Sequence, residues 1–253
     1  MDHDQLREKY RREFVPVKYP DLVHAYTFLR DFHQRELHFI FESLPEGRRS
    51  LLEIGCGPTP HNVFPATKSA HDVVLSDYLP GNRVEVEKWL QNAPDALDWT
   101  RYSESLAKLE GFSDIKRGSG EIEARTRKAV RKVIPCDVLS PGVLREEDRE
   151  KFDVVLSSLC LESACMDEAT FREATQNVGS LVRDGGLLIL CGILGCQDYT
   201  VGEVKFPCLY LTSDAVKKAV VRAGFQIRRS CFSGDSTTII DSPFVVAAER
   251  LRS

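Results

Sequence analysis

Residues 51–60, LLEIGCGPTP, restrict the fold more than any other stretch of the chain. An apolar run of strand length leads there into two glycines separated by one residue, a turn that begins many dinucleotide and adenosyl-cofactor folds. A dinucleotide loop needs a third glycine so that a helix N-terminus can approach a pyrophosphate, but this chain has Pro60 at that position. The loop therefore favours a cofactor without phosphate, of which S-adenosylmethionine is the common example.

The segments after this loop alternate between strand and helix patterns. Short apolar runs are separated by longer segments whose apolar residues have helical spacing. The predicted strands are HDVVLSDY (71–78), KVIPCDV (132–138), FDVVLSSLCL (152–161), LLILCGIL (187–194), QIRRSCF (226–232) and PFVVAAERL (243–251). The predicted helices are NRVEVEKWLQN (82–92), EIEARTRKAVRKV (121–133), DEATFREATQNVGSLVRDGG (167–186, capped by Asp167) and TSDAVKKAVVRAGF (212–225). Such alternation predicts an α/β fold built on a parallel sheet.

Residues 1–45 do not join this alternation and are predicted to form an N-terminal helical cap. RDFHQRELHFIFESL (30–44) has the spacing of an amphipathic helix, and the looser aromatic segment FVPVKYPDLVHAY (14–26) precedes it. Ahead of the first strand, such a helix can pack across the sheet or over its ligand edge. The cap is therefore either a cover for the core or a lid that carries Tyr19 and Tyr26.

The composition is that of an ordinary soluble, globular protein. With 253 residues, 42% hydrophobic and 28% charged, we expect a single domain with a core at 46–253 and a helical insertion around 93–131. The formal net charge of −4 gives no basic field for nucleic acid, so the basic run RTRKAVRKV (125–133) is interpreted as a solvated helix face. The sequence has no 18-residue apolar run and no signal-peptide pattern, so we expect a cytoplasmic protein without a membrane partner.

The eight cysteines are candidates for a metal site or for disulfides. Neither a C-x-x-C motif nor a Cys/His cluster occurs, and most of the cysteines lie inside apolar runs. A free thiol in such a run behaves as a small hydrophobic side chain. We therefore expect no metal site and no disulfide framework.

Acidic residues end two of the predicted strands. In a sheet of this type the ligand lies beyond the carboxyl ends of the strands. Asp77 ends the second strand, where a carboxylate suits the two ribose hydroxyls. Asp137 follows the next strand and is placed to receive an adenine amino group, with Val138 beside the ring. An acid at a strand end can equally be a helix cap, so the assignment depends on the glycine loop and both acids together.

Read in order, the motifs of this chain resemble those of the small-molecule amine N-methyltransferases, which include the nicotinamide, phenylethanolamine and indolethylamine N-methyltransferases. The motifs are GCGPT (55–59), SDY (76–78) with Asn82 after it, EVEKWL followed by PDALDW, CDV, LSSLCLESAC, VGSLVRDGG and YTVGEVKF, from about Phe14 to Arg250. The resemblance implies a Rossmann-like class I methyltransferase fold. That fold has a seven-stranded, mostly parallel sheet with an antiparallel last strand, and here an N-terminal helical lid. The resemblance also implies S-adenosylmethionine as cofactor.

The resemblance assigns specific residues to the cofactor. FVPVKY (14–19) resembles the family's F-x-P-x-x-Y, whose tyrosine covers the methionine end of the cofactor. His61 stands where the family often has a tyrosine. The positions implied to line the cofactor are Tyr19, Tyr26, Gly55, Gly57, Thr59, Asp77, Tyr78, Asn82, Asp137, Val138 and Ser158.

On the acceptor side this chain departs from the nicotinamide enzyme that it resembles. That enzyme holds the amide with an aspartate in the fifth strand and a serine after the next loop, where this chain has Gly192 and Cys208. Glu162 stands where the amine-specific relatives have glutamate, which implies that it orients an ammonium group and helps to remove its proton. Its alternative role is that of an acid at a helix start. The residues implied on the acceptor side are Leu159, Glu162, Gly192, Tyr199, Cys208 and Asp241, with Asp235 as a further candidate.

Together these features predict a monomeric enzyme that transfers a methyl group from S-adenosylmethionine to a small primary or secondary amine, arylalkylamine-like in structure. Two alternatives lie within the same fold: a nicotinamide or pyridine N-methyltransferase, and a catalytically silent relative that binds S-adenosylmethionine or S-adenosylhomocysteine. A nicotinamide-dinucleotide dehydrogenase is the third alternative.

Overall fold

One sheet forms the centre of the fold in the computed structural model, which describes residues 2–45, 49–233 and 242–252. The strands are β1 (Arg49–Ile54), β2 (Ala70–Asp77), β3 (Val130–Pro135), β4 (Phe152–Ser158), β5 (Val182–Leu194), β6 (Asp198–Val201), β7 (Val204–Pro207), β8 (Phe225–Phe232) and β9 (Ser242–Arg250). The helices are α1 (His3–Glu13), α2 (Tyr19–Ala25), α3 (Thr27–Ser43), α4 (Pro80–Leu90), α5 (Thr100–Leu109), α6 (Ile115–Ala129), α7 (Leu161–Ala164), α8 (Glu168–Gly179) and α9 (Ser213–Arg222).

The strand order of the sheet is β3-β2-β1-β4-β5-β9-β8, and β6 pairs with β7 in a separate hairpin. Strands β1 to β5 of the main sheet are parallel, while β9 is antiparallel to both of its neighbours. The prediction of a seven-stranded, mostly parallel sheet with an antiparallel last strand is therefore confirmed. This order brings the ends of β1, β2 and β4, with the loops that follow them, to one edge of the sheet.

Both faces of the central strands are buried, as expected for parallel strands with near-continuous apolar sequences. Successive side chains of a strand point to opposite faces. Leu51 accordingly belongs to the same apolar cluster as Phe41 of α3 on one face, and Leu52 to the same cluster as Phe171 of α8 on the other. The sheet is thus a middle layer between two layers of helices.

The insertion predicted around 93–131 contains α5 and α6, which pack on each other. Trp99 and Tyr102 are 1% exposed and form a third apolar cluster with Phe64. Because this cluster includes Val23 of α2, the insertion also supports the N-terminal cap. None of the helices in the described ranges is long and apolar enough to cross a membrane.

Two features of the chain differ from the sequence-based expectations. The helix predicted over 167–186 begins at its Asp167 cap but ends at Gly179, and β5 begins at Val182. A Cβ on Gly179 would lie 2.7 Å from the ring of Phe225, so a glycine at the last residue of this helix permits close packing against β8. The β6–β7 hairpin was not predicted, because its short strands are half polar and lack a clear period.

Helix α1 falls within the predicted N-terminal helical cap, but no separate helix was assigned to its residues, although the sequence carries a signal for one. The Asp2 carboxylate accepts a hydrogen bond from the backbone N–H of Gln5 (2.8 Å), and the Gln5 side chain accepts one from the N–H of Asp2 (3.0 Å). This reciprocal arrangement is a capping box, which fixes a helix start at the second residue. Leu6 is the buried residue of α1 and anchors it to the ligand edge of the sheet.

Candidate active site

The glycine loop after β1 forms the floor of the candidate site. Gly55 and Gly57 have φ angles of +70° and +64°, which side chains rarely allow. A Cβ on Gly55 would collide with Sγ of Cys160, so glycine also permits close contact with the segment after β4. The chain then continues into a short 3-10 helix, His61–Lys68, rather than into the long helix of a dinucleotide site.

Asp77 at the end of β2 holds this loop in place. Its Oδ2 accepts a hydrogen bond from the N–H of Gly57 (2.7 Å), while Oδ1 accepts from the N–H of Leu79 (2.8 Å) and from Nδ2 of Asn82 (3.0 Å). Burial raises the pKa of Asp77, and these donors act in the opposite direction. Since Oδ2 has one protein donor and two lone pairs, it retains capacity for a ribose hydroxyl. The ribose contact stays a prediction, and Asp77 has an additional role in organising the loop.

A cleft of about 820 Å³, which we name the loop cleft, opens at this edge of the sheet. Buried polar atoms of three lining residues have no hydrogen-bond partner in the described part of the chain: Oη of Tyr78, Oδ1 of Asn82 and Oγ of Ser158. Because buried polar groups are nearly always paired, these atoms fit the hydroxyl and amino groups of a nucleoside. The predicted cofactor residues that line the cleft are Tyr19, Gly55, Gly57, Asp77, Tyr78, Asn82, Asp137, Val138 and Ser158.

Helix α1 covers the loop cleft. The guanidinium of Arg7 donates from Nη2 to Oδ2 of Asp137 (2.6 Å), and Tyr10 shares a hydrogen bond of 2.7 Å between its hydroxyl and that of Tyr199. Asp137 therefore already forms an ion pair with Arg7 of α1. Its Oδ1 accepts a hydrogen bond from the N–H of Leu139 (3.0 Å). The first helix thus closes over the site where the sequence predicted adenine.

A second cleft of about 660 Å³, which we name the lid cleft, lies beneath α2 and α3. Four residues line both clefts, so the two spaces are neighbours that share walls: Tyr19, Leu159, Ser163 and Tyr199. The lid cleft is further lined by Tyr26, Arg30, Glu162, Ile193, Asp198 and Cys208, among others. The two clefts are therefore adjacent, with these four side chains between them.

Glu162 is the buried acid of the lid cleft. It is 3% exposed, and its Oε1 accepts a hydrogen bond from the N–H of Ile193 (3.2 Å). Burial raises the pKa of Glu162 to about 7, because desolvation disfavours the carboxylate. The other lining acid, Asp198, is 42% exposed at its side chain and pairs with Lys205 (2.9 Å). Glu162 is therefore the acid at this cleft that can hold or release a proton near neutral pH.

Gly192 lies directly behind Glu162 in β5. A Cβ at this position would lie 2.6 Å from Oε1 of Glu162 and 2.6 Å from the ring of Phe244. His33 approaches from α3, with Nε2 3.1 Å from the carbonyl oxygen of Gly192. Burial lowers the pKa of His33 to about 3, so it is neutral and donates to that carbonyl. The absence of a side chain at 192 makes the space that the Glu162 carboxyl occupies.

Several predicted site residues lie elsewhere. Tyr26, predicted at the cofactor, lines the lid cleft and not the loop cleft, because α2 carries it one helix length beyond Tyr19. Thr59 does not line either cleft, since its hydroxyl pairs with Nδ1 of the buried His61. Asp235 and Asp241 lie outside the described residues.

Sequence reasoning missed three residues that the structure places at the clefts. Arg7 and Tyr10 lie on α1, and the capping box at Asp2 could have revealed that helix. Arg30 lies inside the amphipathic helix pattern of α3, where a lone arginine is ordinarily exposed. No signal in the sequence distinguishes it from the other arginines of the cap.

The family model described as the NNMT/PNMT/TEMT family matches residues 5–248. The chain is 32% identical over 255 residues to the indolethylamine N-methyltransferase of Oryctolagus cuniculus, which is 96% of this chain and 96% of that protein. It is 39% identical over 178 residues to the human nicotinamide N-methyltransferase, which is 70% of this chain and 66% of that protein.

A solved structure of the magnesium protoporphyrin IX methyltransferase from Synechocystis PCC 6803, with bound SAH, has a TM-score of 0.60 to this chain at 14% identity. The likeness covers 98% of this chain and 100% of that one, and it concerns the fold. With the sheet order, the glycine loop and a family match over nearly the whole length, this chain belongs to the NNMT/PNMT/TEMT family and has the Rossmann-like fold of class I methyltransferases.

Proposed function

We propose that this protein transfers a methyl group from S-adenosylmethionine to the nitrogen of a small amine. The observation that carries the proposal is the buried carboxyl of Glu162 in a cleft that shares walls with the loop cleft. A carboxyl group in such a place can bind an ammonium group through charge-assisted hydrogen bonds. Its pKa of about 7 suits a group that also takes up a proton near neutral pH.

The loop cleft would hold the cofactor. Asp77, Asn82 and Ser158 offer oxygen atoms to the nucleoside, and the ring of Tyr19 covers Gly57, with Cε1 3.8 Å from where a Cβ would be. S-adenosylmethionine supplies a methyl group on a positively charged sulfur. The protein's contribution to the transfer is mainly to align the acceptor nitrogen with that methyl group, and alignment is worth ~7 kcal/mol or more in favourable cases.

Glu162 would act on the acceptor nitrogen. An aliphatic amine is mostly protonated at pH 7 and cannot attack a methyl group until it loses a proton. An ionised Glu162 binds the ammonium group and can accept that proton directly or through water. The N–H of Ile193 donates to Oε1 at 3.2 Å and holds the carboxyl in position during this exchange.

The walls of the lid cleft favour an aromatic amine. Tyr19, Tyr26 and Tyr199 line it, and aromatic rings stack on one another and on cations. Gly192 speaks against nicotinamide, because the nicotinamide enzyme that this chain resembles holds the amide with an aspartate at this position, whereas here the Glu162 carboxyl occupies the space next to it. The acid of this site therefore projects from α7 and not from β5.

The test is transfer of a labelled methyl group from S-adenosylmethionine by the purified protein to phenethylamine, tryptamine, their N-methyl derivatives, nicotinamide and pyridine. We expect transfer to the arylalkylamines, strongly reduced in Glu162→Gln and unchanged in Glu147→Gln, which alters an exposed acid. Nicotinamide turnover equal to that of the arylalkylamines would contradict the proposed acceptor class. Binding of S-adenosylhomocysteine without transfer to any amine would instead identify a catalytically silent relative.

The remaining sequence-based expectations concern assembly and location. We propose that the enzyme acts as a monomer in the cytoplasm on a small-molecule amine, without nucleic acid or membrane as partner. Light scattering of the purified protein measures the first expectation, since a mass near 28.5 kDa is that of one chain.

A further inference from the structure

Arg30 is a buried cation at the lid cleft. It lies on α3, is 4% exposed and lines the cleft together with Glu162. Its Nη2 donates to the hydroxyl oxygen of Tyr19 (2.8 Å), but its buried Nε has no hydrogen-bond partner. Across residues 2–45, 49–233 and 242–252, no carboxylate lies within ion-pair distance of this guanidinium. Arg30 thus presents a positive charge to the cleft without a direct ion pair in these ranges, and its electrostatic effect on Glu53 and Glu162 acts over longer distances.

An unpaired buried guanidinium is unfavourable, and arginine cannot relieve the cost by losing its proton. Buried charges in proteins are accordingly paired with an opposite charge. The flat guanidinium has donors that match the two oxygens of a carboxylate. An anionic ligand group in the cleft would therefore form the ion pair that the Arg30 guanidinium lacks.

Tyr19 supports the same ligand chemistry. Its hydroxyl oxygen accepts a hydrogen bond from Arg30, which leaves the hydroxyl proton free to point elsewhere. Tyr19 lines both clefts, so that proton can be directed to a group at their junction. Arg30 and Tyr19 together offer several donors at this place, and no described carboxylate lies within ion-pair distance of the Arg30 guanidinium.

We propose that Arg30, with Tyr19, forms a carboxylate-binding site at the junction of the two clefts. This inference rests on the proposed function, because it extends the description of the same acceptor site. The carboxylate has two possible sources, the acceptor amine and the methionine end of the cofactor. If the acceptor carries it, Glu162 takes the ammonium group and Arg30 the carboxylate, and the acceptor class becomes that of amino acids.

The first arm of the test addresses the cofactor. S-adenosylhomocysteine carries the carboxylate, while 5′-methylthioadenosine lacks it, and calorimetric titration measures the affinity of each. If the cofactor supplies the carboxylate, Arg30→Met weakens binding of S-adenosylhomocysteine at least tenfold and leaves that of 5′-methylthioadenosine unchanged. Arg35→Met is the matched control, since it removes an arginine that is 61% exposed from the same helix.

The second arm addresses the acceptor with the matched pairs phenylalanine and phenethylamine, and tryptophan and tryptamine. If the acceptor supplies the carboxylate, the wild-type protein methylates the amino acid of each pair. Arg30→Met then lowers kcat/KM for the amino acid at least tenfold more than kcat/KM for the amine. Arg30→Lys keeps the positive charge but cannot donate two parallel hydrogen bonds to a carboxylate, so we expect an intermediate loss of affinity or of kcat/KM. If Arg30→Met does not fold, Arg30→Lys is used in both experiments.

A selective loss in either arm supports the carboxylate site and names its source. If Arg30→Met and Arg30→Lys change neither the two affinities nor the two rates selectively, the site does not exist. The proposed function fails differently, because the wild-type protein would then bind S-adenosylhomocysteine and methylate no member of either pair. The binding arm still tests the role of Arg30 in that case.

Discussion

Replacing Glu162 by glutamine is expected to stabilise the protein at alkaline pH while removing most of its methyl transfer. Glu162 is 3% exposed, and burial raises its pKa to about 7 from an ordinary value of 4.5. The folded protein therefore favours the protonated form, whose stabilising effect is fully present below pH 4.5. This stability is lost as the pH rises towards the folded-state pKa, because the unfolded chain releases the proton first.

The size of the effect follows from the interval between the two pKa values. Each pH unit between 4.5 and about 7 changes the folding equilibrium by about a factor of ten, which accumulates to roughly 3 kcal/mol. Glutamine is close in shape to the protonated acid, and its oxygen can still accept the N–H of Ile193. The free energy of unfolding of Glu162→Gln should therefore equal that of the wild type at pH 4.5 and exceed it by about 3 kcal/mol at pH 8.5.

Urea unfolding at a series of pH values measures this difference, with Glu147→Gln, which alters an exposed acid, as the matched control. Amine turnover measured on the same samples should fall by about 10²- to 10⁴-fold, the usual contribution of a general base. A glutamine variant that is more stable but inactive would mark Glu162 as a site where function costs stability. A difference in unfolding free energy that stays constant from pH 4.5 to 8.5 would refute the raised pKa, and retained turnover would refute the role in proton removal.

Three further substitutions test the geometry of the clefts. Gly192→Ala should lower the unfolding free energy by about 1–3 kcal/mol and reduce amine turnover, since its methyl group displaces Glu162; full activity at unchanged stability would contradict the packing. Arg7→Met should speed dissociation of S-adenosylhomocysteine in stopped-flow measurements and change stability by less than about 1 kcal/mol, because its ion pair with Asp137 is partly exposed. Asp77→Asn should weaken S-adenosylhomocysteine binding at least tenfold in calorimetric titration, and an unchanged affinity would exclude its carboxylate from the cofactor site.

The core of the fold was predictable because its signals are local. Buried parallel strands leave apolar runs such as LLEI, and the glycines after them mark a turn that few other residues can form. The positions of Asp77 and Asp137 at the ligand edge of the sheet were predictable for the same reason, because the end of a strand fixes where the next side chain lies. The sequence could not show that Asp77 also binds the backbone of Gly57, because that contact depends on the register between β1 and β2.

The cap was harder to predict because its roles arise from tertiary contacts. An amphipathic pattern shows that α3 packs against the core, but it does not say that Arg30 faces inward beside Tyr19. Helix α1 has a mostly polar sequence with Leu6 as its buried residue, and it is held over the loop cleft by distant partners such as Asp137 and Tyr199. Such contacts join residues far apart in the chain, and no period in the sequence records them.

Glu162 and Gly192 are best understood as one unit, because neither position explains the lid cleft alone. The carboxyl of Glu162 occupies the space that a side chain at 192 would fill, so a side chain at 192 on β5 requires the Glu162 carboxyl on α7 to move or to be shorter. Moving the acid between these elements changes where a positive charge is held relative to the loop cleft. We therefore expect the residues at 162 and 192 together to decide whether the acceptor is an amine or a pyridine amide. Converting Gly192 alone to aspartate should abolish amine turnover without creating nicotinamide turnover, and Glu162 must become smaller before the second activity can appear.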